Sequence, residues 1–288
     1  MATPETDAKS GEHTTGHEWD GIEEYNNPLP RWWLMIFYAC ILYSIGYWIL
    51  YPSWPLISSY TTGVLEYSSR DELKADIAEA QLARKVYSDR IADADIADIV
   101  KDPQLLEFAL AGGKSAFGDN CAPCHGSAAQ GAKGYPNLSD DDWLWGGSLE
   151  AIQQTLLYGI RSTHEDTRVS EMPAFGRDEL LASGDIANVT AFVMSLSMDG
   201  QKADAVAAGK QVFEENCAAC HGPEGKGNRE LGAPNLADAI WLYGKDRQDI
   251  RATIANSRKG VMPHWDGRLP PETIKQLAIY IHALGGGE

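Results

Sequence analysis

The chain is short of positive charge, of cysteine and of long apolar runs, and each shortage excludes something. Lys and Arg number 24 against 41 Asp and Glu, a formal charge of −17. Without a basic face, nucleic acid is excluded as the main partner. Such a surface suits solvation or a basic protein partner. Five cysteines in 288 residues are too few for a disulfide-stapled scaffold, and one long apolar run rules out a polytopic membrane protein. The length allows one to three domains.

That single run reads WWLMIFYACILYSIGYWILY from Trp32 to Tyr51, with no charge and no proline. As a helix it is long enough to cross a bilayer. Trp32 and Trp33 stand at one end and Trp48, Tyr51 and Trp54 at the other, where amphipathic rings favour the headgroup zone. Pro30, Pro52 and Pro55 bracket it. A cleaved signal peptide fits poorly, because an acidic, polar stretch precedes the run and no small-residue cleavage site follows it. We therefore expect a retained anchor over 32–52, in contact with membrane lipid. Cys40, inside it, reads as a small buried apolar residue. Residues 1–31 form a polar tail, with the first twenty or so expected to be disordered. Arg31 on one side of the span and Arg70 on the other leave the orientation weakly written. Residues 53–104 read as a linker. Ser69 and Glu72 have capping-box spacing, and Leu73, Ile77 and Ala80 follow at helical intervals, predicting a helix over 69–100.

The remainder is a repeat. Displaced by the 96 positions that separate Cys121 from Cys217, Gly113, Lys114, Phe117, Asn120, Cys121, Cys124, His125, Gly126 and Gly131 fall on Gly209, Lys210, Phe213, Asn216, Cys217, Cys220, His221, Gly222 and Gly227. The match continues through Pro136-Asn137-Leu138 and Pro234-Asn235-Leu236, Trp143 and Trp241, and Met172-Pro173 and Met262-Pro263. Each copy closes on a helical pattern, Ile186 to Leu196 and Ile274 to Leu284. Units of this size need something to supplement a small core.

The supplement is written in Cys121-Ala122-Pro123-Cys124-His125 and Cys217-Ala218-Ala219-Cys220-His221, both C-x-x-C-H, the attachment signature of c-type haem. Positions i, i+3 and i+4 of a helical turn share a face, so two thiols can add to one porphyrin while the next imidazole reaches its iron. Zinc half-sites and thioredoxin-like pairs are the rival readings of C-x-x-C. The distance between the two motifs and the lack of a βαβ pattern argue against both.

A second axial ligand closes the iron and leaves only electron exchange. Met172 and Met262 are the only methionines at matching positions, each followed by Pro and then, two residues on, by an aromatic ring, Phe175 or Trp265. His164 and His264 compete for the role, but their offsets from the attachment histidines differ. Met194 and Met198 have no counterpart and read as packing or linker residues. The carbonyls of Pro136 and Pro234 are candidates to orient His125 and His221, although a plain turn role serves those prolines equally well.

Together the repeats resemble class I cytochrome c domains. The tail Gly21-Ile22-Glu23-Glu24-Tyr25-Asn26-Asn27-Pro28-Leu29-Pro30-Arg31-Trp32-Trp33, then an anchor, then FALAGGKSAFGDNCAPCH from Phe108 to His125, then a second copy, resembles the dihaem subunit of cbb3-type cytochrome c oxidases, the CcoP or FixP family, over roughly residues 18–286. The resemblance implies an all-α fold: one transmembrane helix, a helical linker and two tandem class I cytochrome c domains at 105–198 and 203–286. It implies two covalent haem c groups, with thioethers at Cys121, Cys124, Cys217 and Cys220 and axial ligands at His125, Met172, His221 and Met262. Whether each Met serves its own repeat's haem or the other's stays open. The implied partners are a haem-copper catalytic subunit, a monohaem cytochrome c subunit and a donor cytochrome c. The implied location is the bacterial inner membrane, with the repeats in the periplasm. By itself the chain then carries out electron transfer and no bond-making chemistry. A dihaem peroxidase and a free membrane-tethered electron shuttle are the alternatives.

Overall fold

The computed structural model describes residue 6 and residues 10–287. The chain divides into two compact units, one ending at Leu82 and the other starting at Ala83. In the first, β1 (Thr14–Trp19) and β2 (Ile22–Tyr25) form an antiparallel hairpin with Trp19 opposite Ile22. This corrects the expectation of a disordered tail for the residues described there. Asp20 and Gly21 both take positive φ, 50° and 82°, the two-residue Asp-Gly turn whose twist suits a hairpin. Helix α1 (Arg31–Leu50) starts at Pro30, whose carbonyl accepts from the N–H groups of Trp33 and Leu34. Among the described residues it alone is long and apolar enough to cross a membrane. None of its side chains is buried by protein, so Cys40 is exposed. The expected burial is not met within this chain, because among the described residues no second apolar helix packs on α1. The chain then folds back, and Val64 and Leu65 donate to the orphan carbonyls of Ile49 and Leu50 at 2.9 and 3.0 Å. Gly63 makes this possible at φ 73°, since a Cβ there would lie 2.4 Å from the Leu50 carbonyl oxygen.

Helix α2 (Ser69–Asp93) is capped by Ser68, one residue before the expected Ser69, and ends before the expected residue 100. Its C-terminal turn is held in the second unit, where the Lys275 ammonium donates to the carbonyls of Ile91, Ala92 and Ala94. A short turn, α3 (Ile96–Ile99), follows, then α4 (Pro103–Asn120). Asp102 caps α4 by accepting from the N–H groups of Gln104 and Leu105, and Pro103 takes the first position, where a missing N–H is harmless. Beyond it come α5 (Ala122–His125), α6 (Leu149–Tyr158), α7 (Ser183–Ser195), α8 (Ala203–Asn216), α9 (Ala218–His221), α10 (Arg247–Asn256) and α11 (Pro271–His282).

The packing crosses the repeats. Along α4, Leu105, Ala109, Gly113 and Phe117 recur every four residues and are buried. They pack on Ile274, Leu277, Ala278 and Ile281 of α11, with Ile152 and Leu156 of α6 completing the core. The other core joins Ile186, Val189 and Val193 of α7 to Phe213 of α8 and to Ile250 and Ile254 of α10. Repeat-equivalent glycines let the helices cross: a Cβ on Gly113 would lie 2.3 Å from the Gln276 carbonyl, and one on Gly209 would lie 2.0 Å from that of Asn188. The repeats 105–198 and 203–286 are thus units of sequence, while the first core takes its opening helices from one and its closing helix from the other. The second core is continuous in the chain from Met172 to Ala255 and is inserted between the two parts of the first.

Candidate haem sites

Each attachment motif sits on one tight turn following a core helix. Cys121 ends α4, and its carbonyl accepts from the N–H groups of Cys124 and His125. Cys217 does the same for Cys220 and His221. None of the four sulfurs is in a disulfide, and the first of each pair is the less accessible. Burial, reinforced by the neighbouring cysteine, pushes the Cys121 and Cys217 thiols up to about 11. Among the described residues no cluster of three or more His, Cys, Asp or Glu could hold a metal ion.

The imidazoles are set by the repeated prolines. His125 Nδ1–H donates to the Pro136 carbonyl at 2.9 Å, and His221 Nδ1–H to that of Pro234 at 3.1 Å. Such a bond fixes the tautomer and leaves Nε2 as the basic nitrogen. Burial lowers both pKa values, only partly opposed by these bonds, which favours the neutral ring that can ligate.

Met262 shares a cleft with the first repeat's histidine. It lines one cleft with His125, Pro136, Leu138, Trp143, Ile152 and Leu156. Met172 packs instead on the second core with Cys217, Leu236 and Trp241. The loops are tied where they cross: Ile160 and Met262 exchange both backbone hydrogen bonds at 3.0 Å, and Phe175 and Gly176 donate to the carbonyls of Ile254 and Ala255. Met194 and Met198 pack at the second core, as the sequence implies. His164 and His264 meet each other, ring centroids 5.5 Å apart, and His164 lies 3.9 Å from Asp266. Neither lines the His125 cleft.

Haem fits these surroundings. The cleft has mostly apolar walls, and an imidazole and a thioether both line it. At its edge Trp145 carries the Arg168 guanidinium over its ring at 5.2 Å. Arg168 bonds the Ala151 carbonyl and Gln154, yet its Nε is buried with no partner. A buried donor left unpaired costs about 1–3 kcal/mol, and a porphyrin carboxylate is an acceptor suited to it. Sequence reasoning missed Arg168 and Trp145, since Arg168 is not among the residues that the repeat matches.

Comparison with known proteins agrees. Residues 11–58 match the family described as the N-terminal domain of cytochrome oxidase-cbb3, FixP. Residues 110–197 match cytochrome c, and residues 204–281 match cbb3-type cytochrome c oxidase, subunit III. A cbb3-type cytochrome c oxidase subunit FixP from Bradyrhizobium sp. (strain ORS 278) is 56% identical over 285 residues, covering 99% of this chain and 98% of the relative. Subunits CcoP from Azospirillum brasilense and Cereibacter sphaeroides are 50% and 49% identical, with both chains covered completely in each case. With an apolar N-terminal helix, two C-x-x-C-H turns and identities of this size over the whole length, the chain belongs to the FixP/CcoP family of cbb3-type cytochrome c oxidase subunits.

Proposed function

We propose that this chain is the dihaem electron-transfer subunit of a cbb3-type oxidase and that its two haems share their ligands across the repeats. Cys121 and Cys124 hold one haem c between His125 and Met262, and Cys217 and Cys220 hold the other between His221 and Met172. Bound haem supplies one-electron chemistry at iron. The protein supplies covalent attachment, a fixed imidazole, a thioether that raises the potential relative to a second imidazole, and apolar walls. Electrons come singly from a periplasmic donor cytochrome c and leave toward a monohaem cytochrome subunit and a haem-copper catalytic subunit. No bond is made or broken on this chain.

The observation that supports the reading is that Met262, not Met172, lines the same cleft as His125. A dihaem peroxidase needs one iron open to peroxide, and here a methionine stands at each core. For the single helix α1 to anchor the chain with its haem domains in the periplasm, where haem c is attached, the tail lies in the cytoplasm, in accord with Arg31.

The test uses chains in which Cys121→Ala and Cys124→Ala leave only the second haem. There Met172→Ala lowers the remaining potential and lets carbon monoxide bind the reduced iron, while Met262→Ala changes neither. The mirror result appears when Cys217→Ala and Cys220→Ala remove the second haem. If Met262→Ala opens the second haem, ligand exchange is wrong. If neither substitution opens an iron, methionine ligation is wrong.

A further inference from the structure

Where the two methionine loops pass each other, one cation holds both. Arg161 lies three residues past the end of α6 and has a positive φ of 52°. Its Nε–H donates to the Gly260 carbonyl at 2.7 Å and its terminal N–H to the Ser170 carbonyl at 3.0 Å. Gly260 precedes Met262 by two residues, and Ser170 precedes Met172 by two. One half-buried guanidinium thus spans the backbones leading to both methionines.

Its surroundings leave it little freedom. Arg161 N–H donates to the Arg168 carbonyl at 2.9 Å, and its neighbour Ile160 is paired with Met262. The same backbone therefore fixes the base of the arginine and one of the loops it grips. The corresponding position past α10 is Lys259, which reaches across to Glu171, next to Met172, at 2.6 Å, with both side chains about half exposed. An exposed pair of that kind contributes little. The guanidinium fork to two carbonyls is the stronger and more directional tie, and a lysine cannot reproduce it.

We propose that Arg161 is a positioning residue shared by the two haem sites: by gripping the carbonyls ahead of Met172 and Met262 it sets the sulfur position at both irons at once. This rests on the ligand reading above and adds to it that a residue of the first repeat governs the two sites jointly. The fixed positive charge at the crossing acts in the same direction at both, favouring the reduced form of each iron.

The experiment uses the full chain, purified in detergent, with both haems shown to be attached by haem staining and the helix content intact by circular dichroism. Arg161→Gln, Arg161→Lys and Lys259→Gln are compared by the long-wavelength charge-transfer band of ferric, thioether-ligated haem and by redox titration resolving both potentials. Expected are a loss of more than half of the band in Arg161→Gln, which needs both irons, and a fall of both potentials. Arg161→Lys falls between wild type and Arg161→Gln at both haems, and provides the readout if Arg161→Gln does not assemble. Lys259→Gln leaves band and potentials unchanged. A change confined to one haem, or none at either, overturns the proposal. Met172→Ala and Met262→Ala run in parallel: if they leave the band intact, the ligand reading has failed rather than the role of Arg161.

Discussion

Two glycines of α4 offer a test of the crossing in which the same substitution has opposite signs. Gly113 lies where α4 crosses α11; a Cβ there would stand 2.3 Å from the Gln276 carbonyl oxygen and 2.6 Å from the Tyr280 Cβ. Ordinary contact begins near 3.4 Å, so α11 must retreat by about 1 Å, a change that overpacked cores resist at about 1–3 kcal/mol. Alanine in a helix returns up to ~1 kcal/mol over glycine. The net expectation for Gly113→Ala is a loss of up to about 2 kcal/mol. Gly118, five residues on in the same helix, has nothing within 4 Å of its added Cβ, so Gly118→Ala gains about 0.5–1 kcal/mol. The assay is the thermal midpoint of the helical circular dichroism signal in the full chain with haem attached. Because α11 follows directly on the Met262 loop, Gly113→Ala should also weaken the ferric thioether band, and Gly118→Ala should not. If both alanines raise the midpoint, α4 and α11 do not touch at Gly113 and the assignment of α11 to the first core fails.

Phe213, fully buried in the second core, is expected to cost about 3–5 kcal/mol on Phe213→Ala, read as a lowered thermal midpoint of the helical circular dichroism signal. Lys275→Met removes the donor to three carbonyls at the end of α2. Charged hydrogen bonds are worth ~1.5–3 kcal/mol, and amide exchange over residues 90–96 should accelerate. The Asp142 carboxyl is raised to about 6, first by burial and then by Asp238 and Asp140. A raised acid is penalised only once ionised, so its cost is absent below its unfolded pKa and grows as pH climbs from about 4 to about 6. Asp142→Asn should raise the thermal midpoint at pH 7, leave it unchanged near pH 4, and flatten the profile between. An equal gain at both pH values would remove burial of the charge as the cause.

How much was legible in the sequence differs by element. The apolar run and both attachment turns were readable because each is local: twenty uncharged residues, or thiols and imidazole three and four positions apart, carry their own geometry. The hairpin was equally local, since Asp20-Gly21 is a two-residue turn signal, and it was overlooked because acidic composition outweighed it. The boundaries of α2 were misplaced at both ends, the cap by one residue and the stop by several. That stop is set by Lys275, which arrives from α11. The pairing of helices was not legible at all. Gly113 and Gly209, Phe117 and Phe213 occupy the same places in their repeats, so α4 presents to α11 a face that would equally suit α7. Repeats that share their helix-crossing residues write both the closed and the exchanged arrangement in the same positions.

What separates those two arrangements is the chain between the repeated helices. Exchange needs α6 to pass its strand to the other core before Met172 and α10 to pass its strand back before Met262. The first passage is the longer, and it is stapled: Arg168 N–H donates to the Gly159 carbonyl and Arg161 N–H to that of Arg168. The second is the few residues after Asn256, begun by Ser257 in the left-handed region at φ 56°, its hydroxyl donating to the Met172 carbonyl. A left-handed residue other than glycine is unfavourable on its own, so Ser257 holds that conformation because the crossing demands it and the bond to Met172 rewards it. Each passage is thus secured by a contact to the methionine segment of the other repeat, Ile160 to Met262 and Ser257 to Met172. Neither core closes until both repeats are in place, and under the proposed ligation loosening either passage disturbs the sulfur at both sites.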